Sequence, residues 1–113
     1  MIEILMLNHL QERLGIPVYA EVPERPPEQF IVIRKGDERR EDFLRCATML
    51  ARSYGPSLLA AMELSQRVLG AMDSFPEDPR ISGCYCTGEY NFTDEETKRY
   101  RYQAVCLHQI RGR

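Results

Sequence analysis

The end of the chain alternates between two kinds of side chain at every second position, and this pattern constrains the fold more than any other. One set of positions is rich in tyrosine and small apolar residues: Tyr100, Tyr102, Ala104, Cys106, His108 and Ile110. The intervening set is Arg99, Arg101, Gln103, Val105, Leu107, Gln109 and Arg111. Because successive side chains of a β-strand point to opposite faces, the pattern predicts a long strand that is buried on one face and partly exposed on the other. A polar, acidic turn over residues 89–98 leads into it.

Two amphipathic segments predict helices. In residues 2–14 an apolar stripe recurs at helical spacing, and Gly15 follows as the expected C-terminal cap. The stripe consists of Met6, Leu7, Leu10 and Leu14. Pro56 opens a second helix that continues to Met72 and ends before Pro76 and Pro79, which cannot extend it. Its expected apolar face consists of Leu58, Met62, Val68, Leu69 and Met72.

The remaining segments predict short strands and their connections. Strands are expected at residues 16–22, 29–34, 43–53 and 80–88. Residues 23–28 carry three prolines and predict a rigid turn, whereas residues 35–42 balance positive and negative charge and predict a solvated loop. For residues 43–53, propensity alone favours a helix because of the Leu, Ala and Met content. The strand assignment there depends on the family resemblance described below.

The predicted order is therefore α-β-β-β-α-β-β, an α+β fold in which two helices pack on one face of a mostly antiparallel sheet. The opposite face would be partly apolar and too exposed in an isolated copy. Such a surface favours self-association.

Length and charge narrow the classes of function. A chain of 113 residues predicts a single domain, 1–113, and a formal net charge of −2 provides no overall attraction to nucleic acid. No apolar run reaches the length of a membrane span, and the first ten residues contain Glu3 and lack the basic start of a signal peptide. Without a secretion signal, the four cysteines are expected to be reduced thiols.

No catalytic, cofactor-binding or metal motif stands out. Two cysteines spaced by one residue on one strand, together with a Cys-x-His on another, leave open a zinc site made of Cys84, Cys86, Cys106 and His108. Structural zinc sites use wider ligand gaps, so buried small side chains are the favoured interpretation. His9 and His108 lie near opposite ends of the chain, and the acidic cluster Asp94-Glu95-Glu96 is typical of a turn. We therefore expect no catalytic residues, no metal and no cofactor.

The C-terminal region separates its charges into two poles. Lys98, Arg99, Arg101, Arg111 and Arg113 are all basic, and no acidic residue lies among them. The acidic Asp94, Glu95 and Glu96 come directly before. Opposite poles on one chain suit head-to-tail contacts between subunits, which close into rings. The favoured interpretation is a subunit interface or a ring lumen at Arg99, Arg101, Arg111 and Asp94–Glu96, and contact of the basic residues with nucleic acid phosphates is the alternative.

Segments spread over nearly the whole chain resemble the tail-terminator or tail-completion proteins of long-tailed bacteriophages and prophages, a family of small head–tail joining proteins. The matching segments are Pro17-Val-Tyr-Ala-Glu-Val-Pro23, Arg25-Pro-Pro-Glu-Gln-Phe-Ile-Val-Ile-Arg-Lys-Gly36, Tyr90-Asn-Phe-Thr-Asp94 and Arg99-Tyr-Arg-Tyr-Gln-Ala104. The order of the opening helix, the strand at 43–53 and the helix at 56–73 also matches. The pair Cys84 and Cys86 departs from the family pattern.

This resemblance implies a non-enzymatic protein of the virion. Such proteins form rings, commonly hexameric, that cap the finished tail tube and contact the head connector, while DNA passes through the lumen without sequence-specific contact. They act in the virion tail or neck and are assembled in the bacterial cytoplasm, with no membrane involved. Two alternatives stay open: a neck or connector-completion protein on the head side of the same junction, and a small zinc- or nucleic-acid-binding regulator.

Overall fold

The computed structural model describes residues 2–41, 44–75 and 81–110. Its elements are α1 (Ile2–Leu14), β1 (Val18–Tyr19), β2 (Phe30–Glu41), β3 (Leu44–Gly55), α2 (Leu58–Met72), β4 (Ile81–Asn91) and β5 (Tyr100–Ile110). The predicted order α-β-β-β-α-β-β is confirmed, including the strand over most of 43–53. Phe43, Arg80 and the two helix-ending prolines Pro76 and Pro79 lie outside the described residues.

The strands form one sheet in the order β1-β2-β3-β5-β4. β1 runs parallel to β2, and the other neighbouring pairs are antiparallel, so the expected mostly antiparallel sheet is confirmed. The alternating C-terminal segment, β5, is an inner strand that is paired with β3 on one side and β4 on the other. Its side chains alternate because one face is buried beneath the helices and the other face is more exposed.

Both helices lie on one side of the sheet, which we call the covered face, and the other side is the open face. The main core joins Ile2, Met6 and Leu10 of α1 to Leu64, Val68 and Met72 of α2. From the sheet it includes Ile31, Ile33, Ala47, Met49, Ala51, Ala104, Cys106 and Ile110. Fully burying an aliphatic side chain of this size contributes roughly 1.5–3 kcal/mol, so this layer provides much of the stability of the fold.

The second helix begins two residues later than predicted. Ser57 is its N-cap, and the Ser57 hydroxyl accepts a hydrogen bond from the Ala60 amide at 3.1 Å. Leu58 and Met62 were expected in the apolar face but lie on the exposed side, at 39% and 36% exposure. The buried positions are Ala61, Leu64, Ser65, Val68 and Met72. Small residues occupy the buried positions at the start of the helix because the helix backbone approaches the sheet closely there. A Cβ added to Gly55 would lie 2.8 Å from the Ala61 nitrogen.

Residues 35–41 do not form the solvated loop that their charge predicted. They extend β2 into a hairpin with β3, with an irregularity between the pairs Lys35–Met49 and Glu38–Ala47. The charges balance within this hairpin, since Glu38 pairs with Lys35 at 2.5 Å and with Arg45 at 3.7 Å. Cross-strand ion pairs stabilise an exposed strand as readily as a loop, so charge alone did not distinguish the two. Asp42, the last residue of the expected loop, lies outside the described residues.

The first helix ends as the sequence predicted. Gly15 has φ +66 and donates its amide hydrogen to the Gln11 carbonyl at 3.0 Å, which is the expected C-terminal cap. Among the described residues, neither helix has the length and apolar character that a membrane crossing requires.

Candidate functional site

Four residues that were considered as zinc ligands do not form a metal site. The register places Cys86 directly opposite Cys106 on the covered face, and the two form a disulfide. The expectation that all four cysteines are reduced is therefore wrong for this pair, because strand pairing brings together two thiols that are distant in sequence. Cys84 is free, and burial first and the charge of Asp73 second raise its pKa to about 12. The described residues contain no group of side chains suited to hold a metal ion.

His108 lies fully buried in the covered face and is brought near the distant His9. Both rings contact Phe75 edge-on, with centroid distances of 5.0 Å for His9 and 4.6 Å for His108. His9 has a partner, since its Nε2 lies 2.7 Å from the Ala71 carbonyl oxygen. Neither ring nitrogen of His108 has a hydrogen-bond partner among the described residues. Burial, and then the charge of His9, lower the pKa of His108 to about 4, so the ring is neutral at pH 7.

The acidic residues Asp94, Glu95 and Glu96, called the acidic turn below, lie in the connection between β4 and β5. The Asp94 carboxylate accepts hydrogen bonds from the amides of Glu96 at 3.0 Å and Thr97 at 3.4 Å. The hydrogen bond of the Thr97 side chain, followed by these amides, lowers the pKa of Asp94. Glu95 and Glu96 are exposed. The structure therefore presents at least two carboxylates at the tip of a hairpin.

Three arginines from three neighbouring strands lie on the open face: Arg34 of β2, Arg52 of β3 and Arg101 of β5. We call them the arginine cluster. Arg101 donates from Nε to the Phe92 carbonyl at 2.6 Å and from Nη1 to the Tyr54 hydroxyl at 3.0 Å. Arg52 donates from Nε to the Gln103 side-chain oxygen at 2.8 Å. These bonds fix the two guanidinium groups within the sheet surface.

The cluster concentrates positive charge that the described part of the chain does not neutralise. The pKa of Arg52 is lowered, first by burial, and the positive charges of Arg101 and Arg34 also lower it. The described ion pairs involve the hairpin of β2 and β3, and none includes a member of the cluster. Three like charges at close range favour an anionic partner.

Aromatic rings surround the cluster. Phe92 lies 4.5 Å from the Arg101 guanidinium and 5.1 Å from that of Arg52, both in cation–π geometry. Tyr54 stacks on Phe30 at 4.4 Å with the rings 8° from parallel. Tyr90 accepts a hydrogen bond from the Gln103 amide. The rings hold the arginines in place before any partner arrives.

Beside the cluster the open face becomes apolar. Leu50 pairs with Val105, and Leu107 pairs with Tyr85, across neighbouring strands. We call these four residues the apolar strip. The three aliphatic members are half-buried, and Tyr85 is 57% exposed. A partly uncovered aliphatic surface next to fixed arginines is suited to binding a macromolecule.

The predicted interface residues are only partly brought together. Arg101 belongs to the open face, Arg99 is exposed beside the acidic turn, and Arg111 lies outside the described residues. Sequence reasoning missed Arg34 and Arg52 because they stood in segments interpreted as buried strand or as ambiguous. The period-two parity that joins Phe30, Val32 and Arg34 contained the signal, since it places Arg34 on the face opposite Ile31 and Ile33.

The class that the fold defines is an α+β protein with two helices on one face of a five-stranded mixed sheet. No protein-family model matches the chain. No curated protein matches it either. Among solved structures, the chain is similar to a chain in the virion of a native gene transfer agent particle. The TM-score is 0.63 with 17% sequence identity, over 91% of this chain and 84% of that chain. At this identity the likeness demonstrates a shared fold.

Proposed function

We propose that this protein is a structural component of a virion: a tail-terminator or tail-completion protein that forms a ring at the head–tail junction and caps the tail tube. The observation that carries the proposal is the open face, where an arginine cluster and an apolar strip lie uncovered by the chain's own helices. The fold shared with a chain of a gene transfer agent virion supports it. The resemblance of the Pro-rich and Asn-Phe-Thr-Asp segments to tail-terminator proteins supports the particular role.

The proposed role is non-enzymatic. The open face presents guanidinium groups, amides and aromatic rings, and a guanidinium stays protonated at neutral pH, so it is poorly suited to transfer a proton. Such side chains recognise a partner by charge and by packing. A protein of the proposed kind acts by binding its neighbours in the virion in a defined geometry.

The proposed partners are further copies of the chain in a ring, expected to be a hexamer, together with the tail-tube protein and the head-connector protein. DNA would pass through the lumen without sequence-specific contact. The protein would assemble in the bacterial cytoplasm and remain in the tail or neck of the virion, and no cofactor is required.

A neck or connector-completion protein on the head side is the second candidate. The same open face favours it equally, because both roles require a ring that contacts a partner ring. The two differ in which neighbour the ring binds first.

The test is to delete the gene in the producing bacterium, restore it with an epitope-tagged copy, and locate the tag by immunoelectron microscopy. Label at the head-proximal end of tails that have not joined heads supports the tail terminator. Label on heads without tails supports the head-side candidate instead. Both candidates would be excluded if the deletion strain forms normal particles and the particles of the restored strain carry no label.

A further inference from the structure

The arginine cluster has no anionic partner within the described chain, although its geometry is already built. Arg52 and Arg101 are half-buried and held by hydrogen bonds to Gln103, Phe92 and Tyr54. Arg34 is exposed, and none of the described contacts engages its guanidinium. Partly burying like charges costs free energy unless an anion binds there. The cluster is therefore prepared for a ligand with two or more carboxylate or phosphate groups.

The same chain presents a complementary group in the β4–β5 connection, two residues beyond Phe92, which Arg101 contacts. The acidic turn is a rigid hairpin tip, since Asp94 caps the following amides and its own amide donates to the Arg99 carbonyl at 3.1 Å. Asp94 takes part in those local bonds, but the side chains of Glu95 and Glu96 extend into solvent. The charge of Arg101 is the smallest contribution to the pKa of Asp94, and the two residues form no ion pair. Arg101 therefore lies within electrostatic range of Asp94, but Glu95 and Glu96 form no described ion pair with the cluster of their own chain.

We propose that the arginine cluster on the open face of one copy binds the acidic turn of the next copy, head to tail. This contact deepens the proposed ring function and rests on it. The apolar strip of the first copy is then covered by the neighbouring β4–β5 hairpin, and each copy uses one cluster and one turn.

The neighbourhood of the cluster favours a protein partner over nucleic acid. Arginine and tyrosine next to aliphatic side chains are typical of protein interfaces, in which lysine is depleted. Here Leu50 lies directly opposite Arg34, and Val105 lies opposite Leu50 on the next strand. A nucleic acid backbone is charged and polar, so it would not bury the apolar strip. A two-fold contact centred on the cluster would place six arginines together, so repulsion favours the head-to-tail arrangement that closes into a ring.

The experiment compares self-association of charge-reversed variants. Arg34→Glu changes the cluster without breaking a described hydrogen bond, and Glu95→Lys with Glu96→Lys changes the turn. Sedimentation velocity over concentrations up to about 1 mM, at low and high salt, gives the association constant. Each variant is expected to weaken association at least about tenfold. Arg25→Glu and the pair Glu12→Lys with Glu24→Lys are matched controls at exposed positions elsewhere, and they should associate like the unmodified chain.

Mixing the two variants gives the decisive measurement. In a mixed pair the unchanged turn of the Arg34→Glu copy meets the unchanged cluster of the other copy, which restores one native contact. A one-to-one mixture is therefore expected to form mixed pairs whose association constant lies within about threefold of that for a pair of unmodified copies. Circular dichroism confirms that each variant is folded.

Several results would overturn the contact. These are an unmodified chain that stays monomeric up to 1 mM, variants that associate normally, or a mixture that fails to recover. If Arg34→Glu weakens binding to a short DNA duplex but leaves self-association unchanged, the occupant is nucleic acid and the proposal is wrong. If the variants associate normally but the tagged protein is still found at the tail end, only this contact is rejected. If the mixture recovers association but the tagged protein is absent from virions, only the proposed function is rejected.

Discussion

The two faces of the sheet use the same strands for different purposes. On β3, Met49 is fully buried against the helices, whereas its neighbour Leu50 is half-exposed on the open face. On β5, Cys106 and His108 are fully buried, while Val105 and Leu107 are half-buried on the open face. The covered face excludes water and stabilises the fold. On the open face, Phe30, Val32 and Tyr54 form a second buried cluster with Tyr19 and Val22 packed against it, whereas the apolar strip and Arg34 remain accessible. Their difference indicates which substitutions affect folding and which affect assembly.

The largest expected difference is between adjacent residues of β3. Met49→Ala removes a fully buried side chain and should lower the free energy of unfolding by about 2–5 kcal/mol. Leu50→Ala removes one that is already half in water, so about 1 kcal/mol is expected. Urea denaturation of both variants measures the free energy of unfolding. An equal decrease in the two variants would show that Met49 and Leu50 are equally buried in solution.

The buried His108 makes the covered face sensitive to acid. Its folded-state pKa of about 4 lies below the ordinary 6.5, so the unfolded chain takes up a proton first as the pH falls. Its contribution to stability is therefore complete above pH about 6.5 and is lost progressively down to about 4, by roughly 3 kcal/mol. Denaturation curves across this range check the effect, and His108→Leu should flatten that part of the profile. An unchanged slope in the variant would assign the acid sensitivity to other groups.

The disulfide ties the covered side of β4 to that of β5. Cys86 and Cys106 are separated by 20 positions, and opening a loop of this size should lower the free energy of unfolding by about 3 kcal/mol. Denaturation with and without reductant measures the loss, and thiol titration of the oxidised, unfolded chain should detect only Cys46 and Cys84. Cys84→Ser is the control that should leave the effect of reductant unchanged. Four reactive thiols before reduction would contradict the disulfide.

The smallest effect on stability is expected at the ring that orients the arginines. Phe92→Ala removes the contacts to Arg52 and Arg101 at the edge of the open face and should cost about 1 kcal/mol of stability. Self-association should fall further than stability does, because the guanidinium groups lose their fixed orientation. Sedimentation and urea denaturation of the same sample separate the two effects. Phe92→Tyr keeps a ring and should behave like the unmodified chain.

Most elements of the fold were predictable, because the periodicity of apolar residues along the chain indicates which side chains are buried. The parity of residues 99–111 predicted β5, and the helical spacing of Met6 and Leu10 predicted α1. Failures occurred where a pattern suits two structures. The charges of residues 35–41 fit a solvated loop and an exposed hairpin equally well, and small residues in α2 outweighed Leu58 and Met62 because contact with the sheet requires a close approach.

The candidate site was less predictable than the fold. Arg101 was identified from a run of basic residues in sequence, but Arg34 and Arg52 lie on strands with no such run. Their grouping with Arg101 requires the strand order β2-β3-β5, which no local pattern contains. Likewise, His9 and His108 seemed unrelated by sequence distance, yet both rings contact Phe75.

The amino-acid sequence by itself determined the two helices, the mostly antiparallel strands and the alternating character of β5, because burial imposes its period on neighbouring residues. Only the tertiary structure decided that Cys86 bonds to Cys106, that His108 stays neutral and that three arginines share one surface. Those outcomes depend on strand register and order, which arise when distant segments pair to bury a common core. Contacts between residues far apart along the chain are physical properties of that packing, and no local stretch of residues contains them.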